Sequence, residues 1–237
     1  MAPPCTSTIS WRKFAVCLVA FGVKDAPTNM MIPIDTLSLF FAAALALALV
    51  PGPDNIFVLT QSLRYGRRAG LLVTLGLCTG LTVHTAAVAF GVAAIFVASA
   101  LAFAILKVIG AGYLLYLAWC AFRTRPNSVE GEGLGLSGGK LYRRGVVMNV
   151  TNPKVAVFFI AFLPQFADPA LGSLSAQMMT LGFMFIVTTF MVFGSVAWFA
   201  GFLGEFLRKS ECAQRVINRI TGIIFMGLAA RLLIATH

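Results

Sequence analysis

Charged residues are scarce in this chain of 237 residues: Asp and Glu together number 8, and only 11% of all residues are charged. A typical soluble domain is about 25% charged. The hydrophobic fraction is 59% and the mean hydropathy is +0.90. Too few charged side chains are present to cover the surface of a water-soluble globule. The composition therefore indicates an integral membrane protein.

Histidine and patterned cysteine are also lacking. Only two histidines are present, and the five cysteines form no C-x-x-C pair. An odd number of scattered cysteines argues against a disulfide framework or a zinc site, so we expect no metal and no cofactor. The net charge of +10 is typical of basic membrane loops that set orientation, and we expect no nucleic-acid partner.

Long apolar stretches are present instead. A helix needs about 20 apolar residues to cross a bilayer, and six stretches are long enough. The predicted spans are about 33–63 with an interruption at 51–55, two spans within 69–121, and 145–166, 177–202 and 217–235. Residues 123–144 are polar, Gly-rich and charged, which predicts a loop. The expected fold is an all-α bundle of six transmembrane helices.

The loop charges alternate. Lys and Arg follow spans one, three and five, whereas the turns after spans two and four contain neither residue. By the positive-inside rule, the basic loops are expected in the cytoplasm and both ends of the six-helix core outside. Residues 31–237 are predicted to form this core. Residues 1–30 are predicted to be an extension or an upstream start; a signal or anchor is the alternative, because Arg12 and Lys13 precede a short apolar run.

Two predicted spans carry helix breakers. Span one contains Pro51, Gly52 and Pro53, and span four contains Pro153 between Asn152 and Lys154. A proline inside a helix costs about 3 kcal/mol or more, and lipid tolerates the freed backbone groups only where protein or a water-filled cavity receives them.

Each break falls in the first helix of a half of three spans, so the second half would be inverted relative to the first. Such paired, interrupted spans point to the central site of a transporter with an inverted 3+3 repeat.

Charged and polar side chains flank the breaks. Asp54 and Asn55 follow the first break, and Lys154 follows the second. A charge deep in a span costs roughly 2.5–3.5 kcal/mol on insertion scales and normally pairs or marks a pathway. One interpretation is an Asp54–Lys154 ion pair that only locks the two halves. The other is a site at which a carboxylate and an ammonium hold a zwitterion or exchange a proton.

Three further features have two interpretations each. His84 in span two would relay a proton or form a hydrogen bond in helix packing. Lys107 in span three would line a pathway or extend to the membrane surface. Gly76 and Gly80 form a G-x-x-x-G pattern, which mostly indicates close helix packing.

The sequence resembles a known family. The segments LALVPGPDNIFVLTQSLRYGRRAGL, GLCTGLTVHTAAVAFGVAAI, LKVIGAGYLLYLAWCAFR and GVVMNVTNPKVAVFFIAFLPQF are similar to the LysE/RhtB family of bacterial amino-acid exporters. The resemblance extends from about residue 33 to the C-terminus. It implies a multi-pass transporter of the bacterial inner membrane that expels amino acids or their derivatives, such as homoserine, threonine, lysine or leucine, by using the proton gradient. Glycine-rich faces would permit a homodimer.

The combined expectation is antiport by alternating access, without enzymatic activity. A cytoplasmic amino acid would enter between the halves, its ammonium would meet Asp54, and its carboxylate would meet Lys154 or a helix N-terminus. Protonation of Asp54 from outside would release the substrate. The alternatives are export of another small metabolite or a cation, an integral-membrane enzyme, or a structural scaffold. Only Asp54 lies well inside a span, whereas a cation carrier is expected to have a denser acidic cluster.

Overall fold

A computed structural model describes residues 32–50, 52–92, 100–123, 137–200, 202 and 211–234, and this part of the chain contains helices and no strand. The helices are α1 (Ile34–Leu49), α2 (Pro53–Tyr65), α3 (Arg67–Ala87), α4 (Ala100–Arg123), α5 (Gly138–Val150), α6 (Pro153–Val157), α7 (Leu174–Trp198) and α8 (Glu211–Ile234). A π-helical turn, Val88–Val92, extends α3. A second π-helical turn, Phe158–Phe162, and a 3₁₀ turn, Leu163–Phe166, extend α6.

The helix lengths suit a bilayer. Four helical segments are long and apolar enough to cross a membrane, and the number rises to six if each of two bent pairs is one span. In the first pair, α1 and α2 meet at 59°; in the second, α5 meets the segment Pro153–Phe166 at 48°. The predicted all-α membrane fold and the breaks in spans one and four are confirmed. The inverted relation between the two halves stays a prediction.

The boundary before span four was predicted wrongly. The expected loop over residues 123–144 ends earlier, because α5 begins at Gly138. Leu141 and Gly145 are buried on one face, while Arg143 and Arg144 are exposed on the other. An amphipathic N-terminal half of α5 satisfies both environments, so these basic residues belong to the helix and not to a loop. The expectation for residues 1–30 falls outside the described residues.

Close backbone contact joins the two halves. Helix α3 packs most extensively on α5 and also contacts α2 and α7, while α4 packs on α8. A Cβ atom on Gly145 would lie 2.5 Å from the carbonyl oxygen of Val73, and one on Gly76 would overlap the carbonyl oxygen of Tyr142. These glycines allow the helix axes to approach closely, so the G-x-x-x-G pattern serves helix packing here.

An aromatic cluster lies beside the second broken span. Phe158 packs against Phe40, Phe162 and Phe185 with ring centroids 4.9–6.1 Å apart. These four side chains are buried. Large apolar side chains on α4, α7 and α8 are instead exposed, as expected for surfaces that face lipid.

Candidate functional site

The first break places a carboxyl group at a helix start. Helix α1 ends at Leu49, and α2 restarts with Pro53 at its first position and Asp54 at its second. Proline suits a first helical position because the backbone N–H that it lacks would have no intrahelical partner there. The unpaired N–H groups and the positive end of the helix dipole favour an anion at this point. Asp54 is only 3% exposed.

Asn152 connects the two breaks. It is the N-cap of α6, and its Oδ1 accepts a hydrogen bond from the backbone N–H of Lys154 at 3.0 Å. Its Nδ2 donates to Oδ2 of Asp54 at 2.9 Å. One buried amide therefore caps the restarted helix of the second half and binds the carboxyl group of the first.

Lys154 also reaches across to the other break. Its Nζ donates to the carbonyl oxygens of Leu47 and Val50 at 3.4 and 3.3 Å. These carbonyls lie at the C-terminal end of α1, where a positive charge is favourable. Asn55 completes the cap, because its Nδ2 donates to the carbonyl oxygen of Ala48 at 2.8 Å.

These contacts differ from the direct Asp54–Lys154 ion pair that was one interpretation of the sequence. Within the described residues, Asp54 contacts the side-chain amides of Asn152 and Asn149, and Lys154 donates to the α1 carbonyls. The two charges attract over a longer distance. Gly52 is small where Lys154 passes: a Cβ atom there would lie 3.2 Å from Nζ.

Three buried oxygens near the breaks have no hydrogen-bond donor: Oδ1 of Asp54, Oδ1 of Asn55 and Oδ1 of Asn149. An unsatisfied buried polar atom costs roughly 1–3 kcal/mol, and a charged one costs more. All three atoms are acceptors. The junction therefore suits a ligand that brings N–H or O–H donors, such as an ammonium or a water molecule, and it also suits protonation of the Asp54 carboxylate.

Sequence reasoning missed Asn149. This residue lies in the last turn of α5, is 2% exposed, and sits beside the Asp54 carboxyl group. Its backbone carbonyl accepts hydrogen bonds from Nε2 of His84 at 3.1 Å and from the backbone N–H of Asn152 at 3.0 Å. The available signal was a polar residue four positions before Pro153 in an apolar run.

The remaining predicted site residues are more dispersed. His84 is buried, and its ring centroid lies 5.7 Å from that of Phe159, so it makes the hydrogen-bonded packing contact that was one of its two interpretations. Pro153 is exposed at the first position of α6, and Lys107 is half-buried on α4. Pro51 lies outside the described residues.

A helical membrane protein with two bent spans that exchange polar contacts at their breaks has the architecture of a membrane carrier. Comparison with known proteins agrees with this assignment to a class of membrane carriers. A family model described as LysE type translocator matches residues 45–236. The chain therefore belongs to the LysE-type translocator family, a family of transporters rather than enzymes.

Several relatives are similar over most of their length. A protein of Salmonella typhimurium named "Homoserine/homoserine lactone efflux protein" is 35% identical over 193 residues, which are 81% of this chain and 92% of the relative. A "Leucine efflux protein" of Enterobacter sp. is 29% identical over 197 residues, again 81% and 92%. A protein of Vibrio cholerae named "Uncharacterized membrane protein" is 35% identical over 190 residues. No solved structure matched the chain.

Proposed function

We propose that this protein exports an amino acid or an amino-acid derivative across the bacterial inner membrane by proton-driven antiport with alternating access. The observation that carries the proposal is Asp54: a carboxyl group that is 3% exposed, lies where the two broken spans meet, and has one oxygen without a donor. A buried ionisable group inside a membrane bundle is by default a candidate for the transport pathway.

The contacts between the breaks support alternation. The first half supplies Asp54 and the end of α1, and the second half supplies Asn152 and Lys154. These hydrogen bonds all run between side chains or helix ends of opposite halves. Rocking one half against the other would break them together, whereas contacts within a half would survive, so the junction is suited to two discrete arrangements.

The helix pairing supports an inverted repeat. Counting α1–α2 and α5–α6 as single broken spans, the second span of each half is α3 or α7, and the third is α4 or α8. Helix α3 packs on α7, and α4 packs on α8. Each broken span also packs on the second span of the other half: α5 on α3, and α1 on α7. A pseudo-two-fold axis in the membrane plane would produce these pairings.

The chemistry of the junction suits an α-amino acid. The ammonium of the substrate would donate to Oδ1 of Asp54, which lacks a donor. The substrate carboxylate would meet either the third N–H of the Lys154 ammonium, whose other two are directed at α1 carbonyls, or a broken-helix N-terminus. Protonation of Asp54 from outside would weaken its attraction for the ammonium and release the substrate.

The relatives narrow the substrate class. Their names specify homoserine, homoserine lactone and leucine, which share a primary ammonium but differ in the side chain or in the presence of a free carboxylate. We therefore expect an ammonium site at Asp54 and selectivity from the surrounding side chains. We propose that the basic helix ends lie in the cytoplasm and that protons are the coupling ion. A homodimer is compatible with the glycine-rich faces.

An export assay tests the function. Cells are loaded with dipeptides of single amino acids, and external accumulation of each amino acid is compared with and without the protein. The parallel series contains an uncoupler that collapses the proton gradient. We expect faster accumulation of at least one amino acid, abolished by the uncoupler. No difference for any amino acid would contradict the proposal and favour another metabolite or a cation.

A further inference from the structure

Arg231 is a cation that the proposed transport cycle does not use. It lies in the last turn of α8, inside the candidate membrane span Gln214–Ile234, and is half-buried. Its Nη1 is buried and has no hydrogen-bond partner. A guanidinium carries five N–H donors in a planar fork and stays charged in proteins, so a buried nitrogen without an acceptor is costly.

One neighbour of Arg231 is an aromatic ring. The guanidinium carbon lies 4.2 Å from the ring centroid of Phe166, which is buried at the end of the second broken span and packs on Phe40 and Phe162 with centroids 5.1 Å apart. Stacking on a ring face attracts the cation. A phenyl ring has no oxygen or nitrogen acceptor, however, so this contact does not give Nη1 a hydrogen-bond partner.

Arg231 differs in burial from the other arginines that lie over aromatic rings. Arg67, Arg123 and Arg144 also lie over aromatic rings, at 4.5, 4.3 and 5.2 Å. Those three residues are exposed, so polar surroundings can satisfy their N–H groups. Among the stacked arginines of the described residues, Arg231 alone is both half-buried and left with an orphaned buried nitrogen.

We propose that Arg231, backed by the ring of Phe166, is a binding site for an oxyanion, either a carboxylate or a phosphate. Such groups match the fork of a guanidinium with two parallel hydrogen bonds. Two sources have this chemistry: the carboxylate of an exported amino acid and the phosphate of a membrane lipid. The first source rests on the proposed function, and the second does not.

This site is separate from the junction at Asp54. Phe166 follows Lys154 by 12 residues along the second broken span, which at a helical rise of about 1.5 Å per residue corresponds to roughly 18 Å. In an α-amino acid the ammonium and carboxylate are attached to the same carbon, so one substrate cannot occupy both sites. As a substrate site, Arg231 would bind the carboxylate at a different stage of export.

The test compares Arg231→Gln, which removes the charge, with Arg231→Lys, which keeps the charge but loses the fork. Arg219→Gln is the matched control, because Arg219 is an exposed arginine on the same helix. In proteoliposomes, transport of L-homoserine, which has a free carboxylate, is compared with transport of L-homoserine lactone, which has none. In parallel, native mass spectrometry counts the phospholipids that remain bound to each purified variant.

The two sources predict different results. If a substrate carboxylate binds, Arg231→Gln raises the KM for homoserine by about tenfold or more, as expected for a lost charge-assisted pair, and leaves that for the lactone unchanged. If a lipid phosphate binds, Arg231→Gln loses a retained phospholipid, and the ratio of the two KM values is unaltered. In both cases Arg231→Lys has an intermediate effect and Arg219→Gln behaves as wild type.

A folded Arg231→Gln protein that equals wild type in both measurements would overturn the proposal. If the wild-type protein transports neither compound, the proposed function fails for these substrates, and lipid retention alone decides on the anion site. Retention that is greater in wild type than in Arg231→Gln then supports the site, and equal retention refutes it.

Discussion

Removing the hydrogen bond between Asn152 and Asp54 should cost more than an ordinary contact between membrane helices. Asn152 donates to Oδ2 of Asp54 at 2.9 Å and accepts from the Lys154 backbone at 3.0 Å. Asn152→Ser can keep the N-cap, because serine is a good capping residue, but it loses the amide donor. Asn152→Ala loses both interactions, so comparison of the two variants separates the cap from the contact between the halves.

The magnitudes follow from the chemistry of each bond. A hydrogen bond to a charged group contributes about 1.5–3 kcal/mol, and loss of an N-cap costs about 1 kcal/mol. We therefore expect Asn152→Ser to lower the free energy of unfolding by about 1.5–3 kcal/mol, and Asn152→Ala by about 2.5–4 kcal/mol. Neutral hydrogen bonds between membrane helices average only about 0.6 kcal/mol, so the two classes of bond are distinguishable.

A double-mutant cycle provides the assay. The free energy of unfolding is measured in mixed micelles for Asp54→Asn, Asn152→Ser and the double variant. The chain offers a neutral control between α3 and α5, since the hydroxyls of Thr79 and Tyr142 are 2.8 Å apart. A coupling energy for Asp54 and Asn152 no larger than that for Thr79 and Tyr142 would refute the expectation that Asn152 donates to an ionised carboxylate.

Substitutions at three further positions, Gly80, Lys154 and His84, test the surroundings of the site, and Gly227→Ala is a control. Gly80→Ala would place Cβ 2.6 Å from Cβ of Asn149, so we expect thermal unfolding to show a loss of about 1–3 kcal/mol; Gly227→Ala, with nothing within 4 Å, should be neutral or slightly stabilising. Lys154→Ala should abolish export because the carbonyls at the end of α1 lose their donor, whereas Lys154→Arg should retain a measurable rate. His84→Gln should keep most export, because an amide N–H can replace Nε2 as the donor to Asn149.

Each of these expectations has a contradicting result. Equal stability of Gly80→Ala and Gly227→Ala would show that α3 and α5 are not in close contact. Full export by Lys154→Ala would show that transport does not need the ammonium group of Lys154. Loss of proton coupling in a folded His84→Gln protein would favour the proton-relay interpretation of that residue.

The sequence was sufficient to predict the helix breaks because proline acts locally. Pro53 and Pro153 cannot continue a preceding helix, and both stand at the first position of a new helix in the structure. Asp54 and Asn152 were identified as site residues for the same local reason, since each lies within one residue of a break.

The contacts between distant segments were beyond the reach of sequence reasoning. The donation from Lys154 to the α1 carbonyls joins residues more than 100 positions apart, and backbone carbonyls carry no residue-specific signal. Sequence reasoning therefore placed Lys154 as a partner for Asp54 or for substrate. Asn149 and Arg231 were missed because their importance depends on buried atoms left without partners, which only packing reveals.

Proton movement during amino-acid export tests the central claim most directly. Proteoliposomes containing wild-type protein or Asp54→Asn are loaded with L-homoserine and L-leucine and with a pH-sensitive dye, and then diluted into substrate-free buffer. Our account predicts that amino acid leaving the vesicles draws protons inward through the wild-type protein. With Asp54→Asn, it predicts neither amino-acid efflux nor proton uptake. Full proton-coupled export by Asp54→Asn would contradict the account.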